Sequence, residues 1–321
     1  MKARSLHTVF VLGLCLCCLS CDESFNPKGP YQPVLVVYSV LSNTKQEQYV
    51  RVYSTYDPPR FDPYEVSAET PVRDAFVQIT RQSTSIVLHD TVVYRRDTLR
   101  YGDGIHVYVA NVLTPEPGQT YSLAVHASGF PTVSSSVTLP AKAIFQYAAT
   151  AASAIQNPRF ARPVDVAVNL STLTRLYQIQ LFVVFEYREG SVVHADSMEV
   201  PLSAPDTSLT DAQWPLSTYA DRRGIIQRFG GTAYKAIMDR IVYKHSVAVK
   251  FVRTTVHVTQ IGEPLFNYHN ITGGFNDEFS IRTDQPDYTN IAGGFGLFAA
   301  FVLENFHRPY PDNFYYNPEE E

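Results

Sequence analysis

Thr120-Tyr121-Ser122-Leu123-Ala124-Val125-His126-Ala127 carries Tyr121, Leu123 and Val125 at every second position, with Ser122, Ala124 and His126 between them. A period of two sends alternate side chains to opposite faces, so this stretch reads as a strand with one buried face. Turn signals bracket it, Pro117-Gly118 before and Gly129-Phe130-Pro131 after, and residues 132–139 return as a further strand. Working back toward the amino terminus, strand-like runs fall at 33–41, 48–56, 71–81, 85–94 and 105–112, with Tyr101-Gly102-Asp103-Gly104 as a turn. Residues 57–70 hold Pro58, Pro59 and Pro63, which lack backbone donors, so pairing is expected to stop there in a long exposed loop. Short strands with frequent turns predict a β-sandwich over 33–140. The aromatic content agrees: 21 Tyr and 19 Phe against one Trp favour pleated, half-buried surfaces.

Outward in the other direction, 140–162 is alanine-rich without a period, and a domain boundary is placed near Pro140. Beyond it, 163–170, 176–187, 246–261 and 294–306 read as strands. Residues 232–241 read as a short helix because Ala233, Ile237 and Ile241 share a face. Residues 201–224 form a long polar loop with Pro205, Pro215 and Trp214. The fold class is therefore all-β, a sandwich followed by a second mainly β domain (141–306) with one or two short helices. Residues 307–321, rich in Pro, Tyr and Glu, are expected to be an exposed tail.

The amino terminus has the layout of a signal peptide: Lys2 and Arg4, then an apolar run over 8–19 that is too short to span a bilayer comfortably. The run closes on Cys18-Leu19-Ser20-Cys21, an imperfect lipobox in which Ser20 fits and Cys18 stands where leucine is usual. Cleavage before Cys18 would put Cys17 at the cut, so Cys21 is the expected lipid-attachment site, with 1–20 as the leader and 21–32 as a tether. All four cysteines lie in this leader region, which excludes a disulfide framework and a thiolate metal site in the mature chain.

The chain carries 26 Lys plus Arg against 31 Asp plus Glu, and loss of Lys2 and Arg4 with the leader makes it more acidic. That balance argues against nucleic acid as a partner. No Gly-x-Ser-x-Gly or His-Glu-x-x-His occurs. The pairings His89-Asp90, His106 near Asp103 and His194 near Asp196 sit on strand faces read as solvent-facing. Gly293, Gly294 and Gly296 lie among Phe295, Leu297 and Phe298, which indicates close packing in a strand rather than a phosphate loop. Neither catalysis nor a cofactor is expected. Trp214 and Tyr219, and Tyr64 at the end of the 57–64 loop, are the candidate ligand or partner contacts, because aromatics in long loops give contact area at low entropic cost.

The stretch Asp287-Tyr288-Thr289-Asn290-Ile291-Ala292-Gly293-Gly294-Phe295-Gly296-Leu297-Phe298-Ala299-Ala300 resembles the closing motif of the Bacteroidota lipoprotein family called domain of unknown function 4249. Cys21, the Val-rich segment 34–40, residues 71–79 and Pro117-Gly118-Gln119-Thr120-Tyr121 fall in the family's order. By strand count and turn spacing the first unit also resembles Ig-like, transthyretin-like or carboxypeptidase-regulatory-like sandwiches. The resemblance implies an outer-membrane lipoprotein, on the periplasmic or cell-surface face, held to the membrane by its lipid and serving as a binding or accessory protein for a TonB-dependent transporter. The alternative is a fimbrial or adhesin-type surface subunit, which needs an amino-terminal cut at an arginine such as Arg51 or Arg60 to open a groove for a donor strand. A glycan-processing enzyme ranks third.

Overall fold

Each run that the sequence marks as a strand forms one, and strands form besides at Ile144–Gln146, Val192–Val200, Thr218–Tyr219 and Gly224–Phe229. The computed structural model describes residues 30–57, 70–94, 104–146, 162–206, 208–245, 249–273, 288–312, 314 and 316–319. In chain order the strands are β1 (Leu35–Ser42), β2 (Gln48–Ser54), β3 (Phe76–Arg81), β4 (Thr84–Tyr94), β5 (Gly104–Ala110), β6 (Thr120–His126), β7 (Val133–Thr138), β8 (Ile144–Gln146) and β9 (Val164–Asn169). They continue with β10 (Thr174–Glu189), β11 (Val192–Val200), β12 (Thr218–Tyr219), β13 (Gly224–Phe229), β14 (Val249–Gly262) and β15 (Phe295–Pro309). Two helices, α1 (Gly231–His245) and α2 (Glu263–Gly273), flank β14 in sequence. Leu35 and Val37 on β1, and Tyr121, Leu123 and Val125 on β6, are all buried, so the period of two had marked the inner face.

One hydrogen-bonded path, β11-β10-β14-β15-β1-β2-β5-β4-β3-β6-β7, runs through most of the strands, with β12 added on β10. It is folded over on itself at β4. The first half of β4 pairs with β3 (Val77↔Leu88) and the second half with β5 (His89↔Val109), so this long strand belongs to two sheets and turns the corner between them. As a result the apolar side chains of β1 and β2 face those of β3, β6 and β7 across one core containing Leu35, Val37, Val52, Ile79, Tyr121 and Val137. The far edge is tied back as well: Ser134 on β7 exchanges both backbone hydrogen bonds with Ala292, at 3.1 and 2.8 Å, just before β15 begins. This part of the fold is a sandwich that nearly closes into a barrel.

The closing motif explains that closure. Asn290 acts as a surrogate strand, accepting from Phe298 N–H at 2.8 Å and donating to Phe298 C=O at 2.7 Å through its side chain. Ile291 fills the core. Gly293 (φ 80°) turns the chain, and Gly296 (φ 117°) lies against β1, where an added Cβ would sit 1.9 Å from the Val37 carbonyl oxygen. The parallel register Val37↔Gly296 therefore depends on a residue without a side chain. Asn43 repeats the surrogate-strand device at the other end of the pair, bonding both backbone groups of Leu303.

The second core lies on the same face of the sheet. There β10 and β14 present Ile179, Leu181, Val183, Phe185, Val256 and Val258 to the three-stranded sheet β13-β9-β8 and to α1. Helix α1 places Ala233, Ile237 and Ile241 in the interior, as their spacing predicts, together with Tyr234 and Met238. Its last turn carries Lys244, a charge that suits the carboxyl end of a helix dipole.

The expected boundary near Pro140 falls where one core gives way to the other, but the last strand crosses it. Phe298, Ala300 and Val302 of β15 belong to the first core and Phe306 packs on the second, and residues Val34–Glu321 form one unit. The expected tail needs correction. β15 continues to Pro309, and Tyr310 and Tyr316 are 5% and 7% exposed. Tyr310 stacks on Phe314 at 4.5 Å, and both rings, with Tyr316, surround Phe251. Buried Asp239 is paired with Lys235 at 3.1 Å and accepts from the Tyr316 hydroxyl, so the final segment also supplies a hydrogen bond to a carboxylate inside the fold. The leader and residues 21–29 of the tether, with Cys21, lie outside the described residues, and residues 30–32 are exposed.

Candidate functional site

The inner face of the large sheet is used by the two cores; the outer face is where side chains remain available. Helix α2 covers one end of it, with Tyr268 against Tyr38 of β1 and Phe266 against Tyr219 of β12 at 5.6 Å. At the other end β10, β11, β14 and β15 leave a hollow of about 370 Å³ lined by Phe182, Asp196, Ser197, Arg253, Thr255, His257 and His307, among others.

Strand pairing assembles this hollow. One row across the sheet reads Phe182, Thr255, His307, and the next reads Ser197, Val184, Arg253. Position 253 owes its orientation to a β-bulge. Phe251 pairs with Phe185 and Arg253 with Val184, leaving Val252 as the extra residue; without it Phe251 and Arg253 would share a face. With it, Phe251 enters the core and Arg253 joins Thr255 and His257 outside. The backbone carbonyl of Val252 is taken by Tyr310 N–H at 3.0 Å, so the carboxyl-terminal segment holds the bulge in place.

Thr255 Oγ1 and His307 Nδ1 share a hydrogen bond of 3.0 Å, and the Phe182 ring lies 4.6 Å from the His257 ring. Burial, and secondarily the charge of His307, holds the His257 imidazole below its ordinary value, which favours its neutral form. The Nε of Arg253 is buried and has no hydrogen-bond partner among the described residues. Nearby, Gln180 donates to Glu199 at 3.0 Å, which occupies that carboxylate. Among the described residues no group of three or more His, Cys, Asp or Glu is placed to hold a metal ion.

The aromatic candidates from the sequence are placed as follows. Tyr219 lies on β12 opposite Leu176, 61% exposed with its ring edge on Phe266, and Trp214 is 42% exposed in the preceding loop. That loop is tethered by Gln178 donating to Pro215 C=O at 2.9 Å and by the Ser203↔Gln213 bridge. Tyr64 and Cys21 lie outside the described residues. His106 approaches Asp90 at 3.5 Å, a cross-strand contact, while His89 meets Asn111 and His194 stacks on Tyr187. His194 also lies 3.9 Å from Glu189, and among the described residues no third His, Cys, Asp or Glu joins these pairs in a metal-holding group.

Sequence reasoning missed Arg253, His257 and His307. The available signal was the alternation Arg253-Thr255-His257, three polar residues on the far side of an apolar strand. His307 stood in a segment read as tail, and only the β14–β15 register brings it beside Thr255.

Comparison with known proteins adds the following. No curated protein matches the sequence. Among solved structures, the crystal structure of DIP-gamma IG1+IG2 is similar at 7% identity, covering 62% of this chain and 95% of that one with a TM-score of 0.18, a likeness that carries no argument. No helix among the described residues is long and apolar enough to cross a membrane. The family described as Domain of unknown function (DUF4249) matches residues 22–303, from just after Cys21 through most of β15, and this chain belongs to that family.

Proposed function

We propose that this protein is an exported lipoprotein, anchored in the outer membrane through Cys21, that acts as a binding or accessory protein for a TonB-dependent transporter. The observation that supports this most is the outer face of the large sheet. A strand face with no binding role needs only solubility, which scattered Lys and Glu supply. Here Phe182, Arg253, Thr255, His257 and His307 are gathered into a hollow, and a bulge is spent on turning Arg253 toward it. Binding rather than turnover is the reading we adopt: the residues lining the hollow offer hydrogen-bond donors and an aromatic ring, and the one hydroxyl set against an imidazole, Thr255 against His307 at 3.0 Å, has no carboxylate paired with that ring among the described residues.

The test has two parts. Mass spectrometry of the mature amino terminus should find acylated Cys21, and mild detergent extraction should bring a TonB-dependent transporter down with the chain. A chain that is unmodified and stays alone would refute the proposal.

One placement favours the fimbrial alternative. β1, the first strand, lies between β2 and the last strand β15, so its removal would open a groove in mid-sheet. A cut at Arg51 would fall inside β2, opposite Tyr38, and would destroy one wall of that groove; Arg60 lies outside the described residues. Detection of an intact terminus at Cys21 on the cell surface would dismiss this reading.

A further inference from the structure

We propose that the hollow on the outer face of β10, β14 and β15 binds an oxyanion, a carboxylate or phosphate group, with Arg253 as its charged anchor. The proposal rests on the reading of this face as a binding surface, and names the chemistry of what it binds.

Arg253 carries the argument. Arg253 is part-buried, and its Nε is withdrawn from water yet donates to nothing among the described residues, although a buried N–H left without an acceptor is costly. The group that relieves this best is a planar or tetrahedral oxyanion, whose oxygens match the fork of guanidinium donors. Asp196 does not fill that role: its Oδ1 accepts from Ser197 N–H at 2.7 Å, and no ion pair joins its carboxylate to Arg253 among the described residues.

The neighbouring donors are arranged so that one is always available. Thr255 Oγ1 and His307 Nδ1 share a single hydrogen bond. If the hydroxyl donates, His307 carries its proton on Nε2; if the ring donates from Nδ1, the hydroxyl proton is released to point elsewhere. Either arrangement leaves a donor for a ligand in the row next to Arg253. Phe182 and Val184 form an apolar floor on which the remainder of an acidic ligand can rest. A cation fits poorly, because Asp196 is the one carboxylate lining the hollow and Arg253 opposes it with a permanent charge.

The experiment is calorimetric titration of the full mature chain in detergent at low ionic strength. Inorganic phosphate is one arm, glucuronate a second, and glucose the neutral control, with Arg253→Gln and Thr255→Val tested alongside. The expected result is saturable binding of phosphate, glucuronate or both. Loss of the charge-assisted bonds in Arg253→Gln should weaken it by about tenfold or more, and Thr255→Val should weaken it by less. Binding of one anion alone assigns the group as phosphate or carboxylate. Absence of saturable binding by either anion, glucose binding as well as glucuronate, or an Arg253→Gln protein binding like the parent would each overturn the proposal. Should Arg253→Gln fail to fold, unchanged affinity in Thr255→Val together with no competition between anions and 1 M-scale salt would do the same. A chain that brings down a transporter through its Cys21 anchor but ignores both anions would remove this inference and leave the accessory role standing.

Discussion

Replacing Gly296 with alanine should be among the most damaging single-methyl changes available to this protein. The backbone there has φ 117°, which L side chains rarely adopt, and holding a non-glycine residue in such a region costs about 1–3 kcal/mol. The new Cβ would also lie 1.9 Å from the Val37 oxygen and 2.7 Å from its carbonyl carbon, so β1 must retreat by more than an ångström. That movement disrupts ladder bonds worth about 0.5–1.5 kcal/mol each. It also loosens Leu35 and Val37, both fully buried. Together these give a loss of about 4–6 kcal/mol, a large share of the stability of an ordinary domain. Gly190 provides the control: its φ is 62°, but nothing lies within 4 Å of an added Cβ, so Gly190→Ala should cost only about 1–2 kcal/mol. Urea unfolding of the two variants and the parent, compared by midpoint and slope, measures both. A Gly296→Ala protein within about 1 kcal/mol of the parent, or a Gly190→Ala protein equally damaged, would refute the close-approach argument.

Three further outcomes are expected. Asn290→Ala should cost about 2 kcal/mol in the same urea assay, because it leaves both backbone groups of Phe298 without their partner. Tyr310→Ala should destabilise by about 3–5 kcal/mol, the range for a large buried aromatic, and should increase protease sensitivity; a truly exposed tail would show neither. The thermal midpoint should fall as pH drops below about 6.5. The unfolded chain then takes up a proton on His257 that the folded chain resists, so that group's contribution is complete above its unfolded value and declines beneath it. His257→Gln should flatten that part of the profile, and an unchanged slope would remove His257 as its source.

Strands with one face in a core were legible because burial imposes alternation, as at Leu35 and Val37 or Tyr121, Leu123 and Val125. β11 was not, since as an edge strand it turns only Met198 and Val200 toward the second core, while Val192 and Val193 at its start are exposed and break the alternation. β13 was hidden in the same way inside a polar stretch, with Ile225 and Phe229 inward and Ile226 exposed. The glycine pattern at 293–296 was readable as close packing, because a strand flanked by Phe295 and Leu297 has little other use for it. The hollow was unreadable for a different reason. Arg253 and His257 sit on one strand and His307 on another, and their meeting depends on the β14–β15 register and on a bulge at Val252. Register across long sequence separations leaves no local trace. The fate of the last residues was similarly hidden: tyrosines in a proline-rich segment look solvent-exposed until Phe251 and Asp239 are known to await them.

The pairing of the first strand with the last has a kinetic consequence. A polypeptide is made amino end first, yet Val36 has no neighbour at Phe295 until β15 has been made. The early sandwich must therefore wait with one side of its interior uncovered, lacking Phe298, Ala300 and Val302. Such high contact order predicts slow acquisition of the native state and a need for protection against aggregation until β15 is in place.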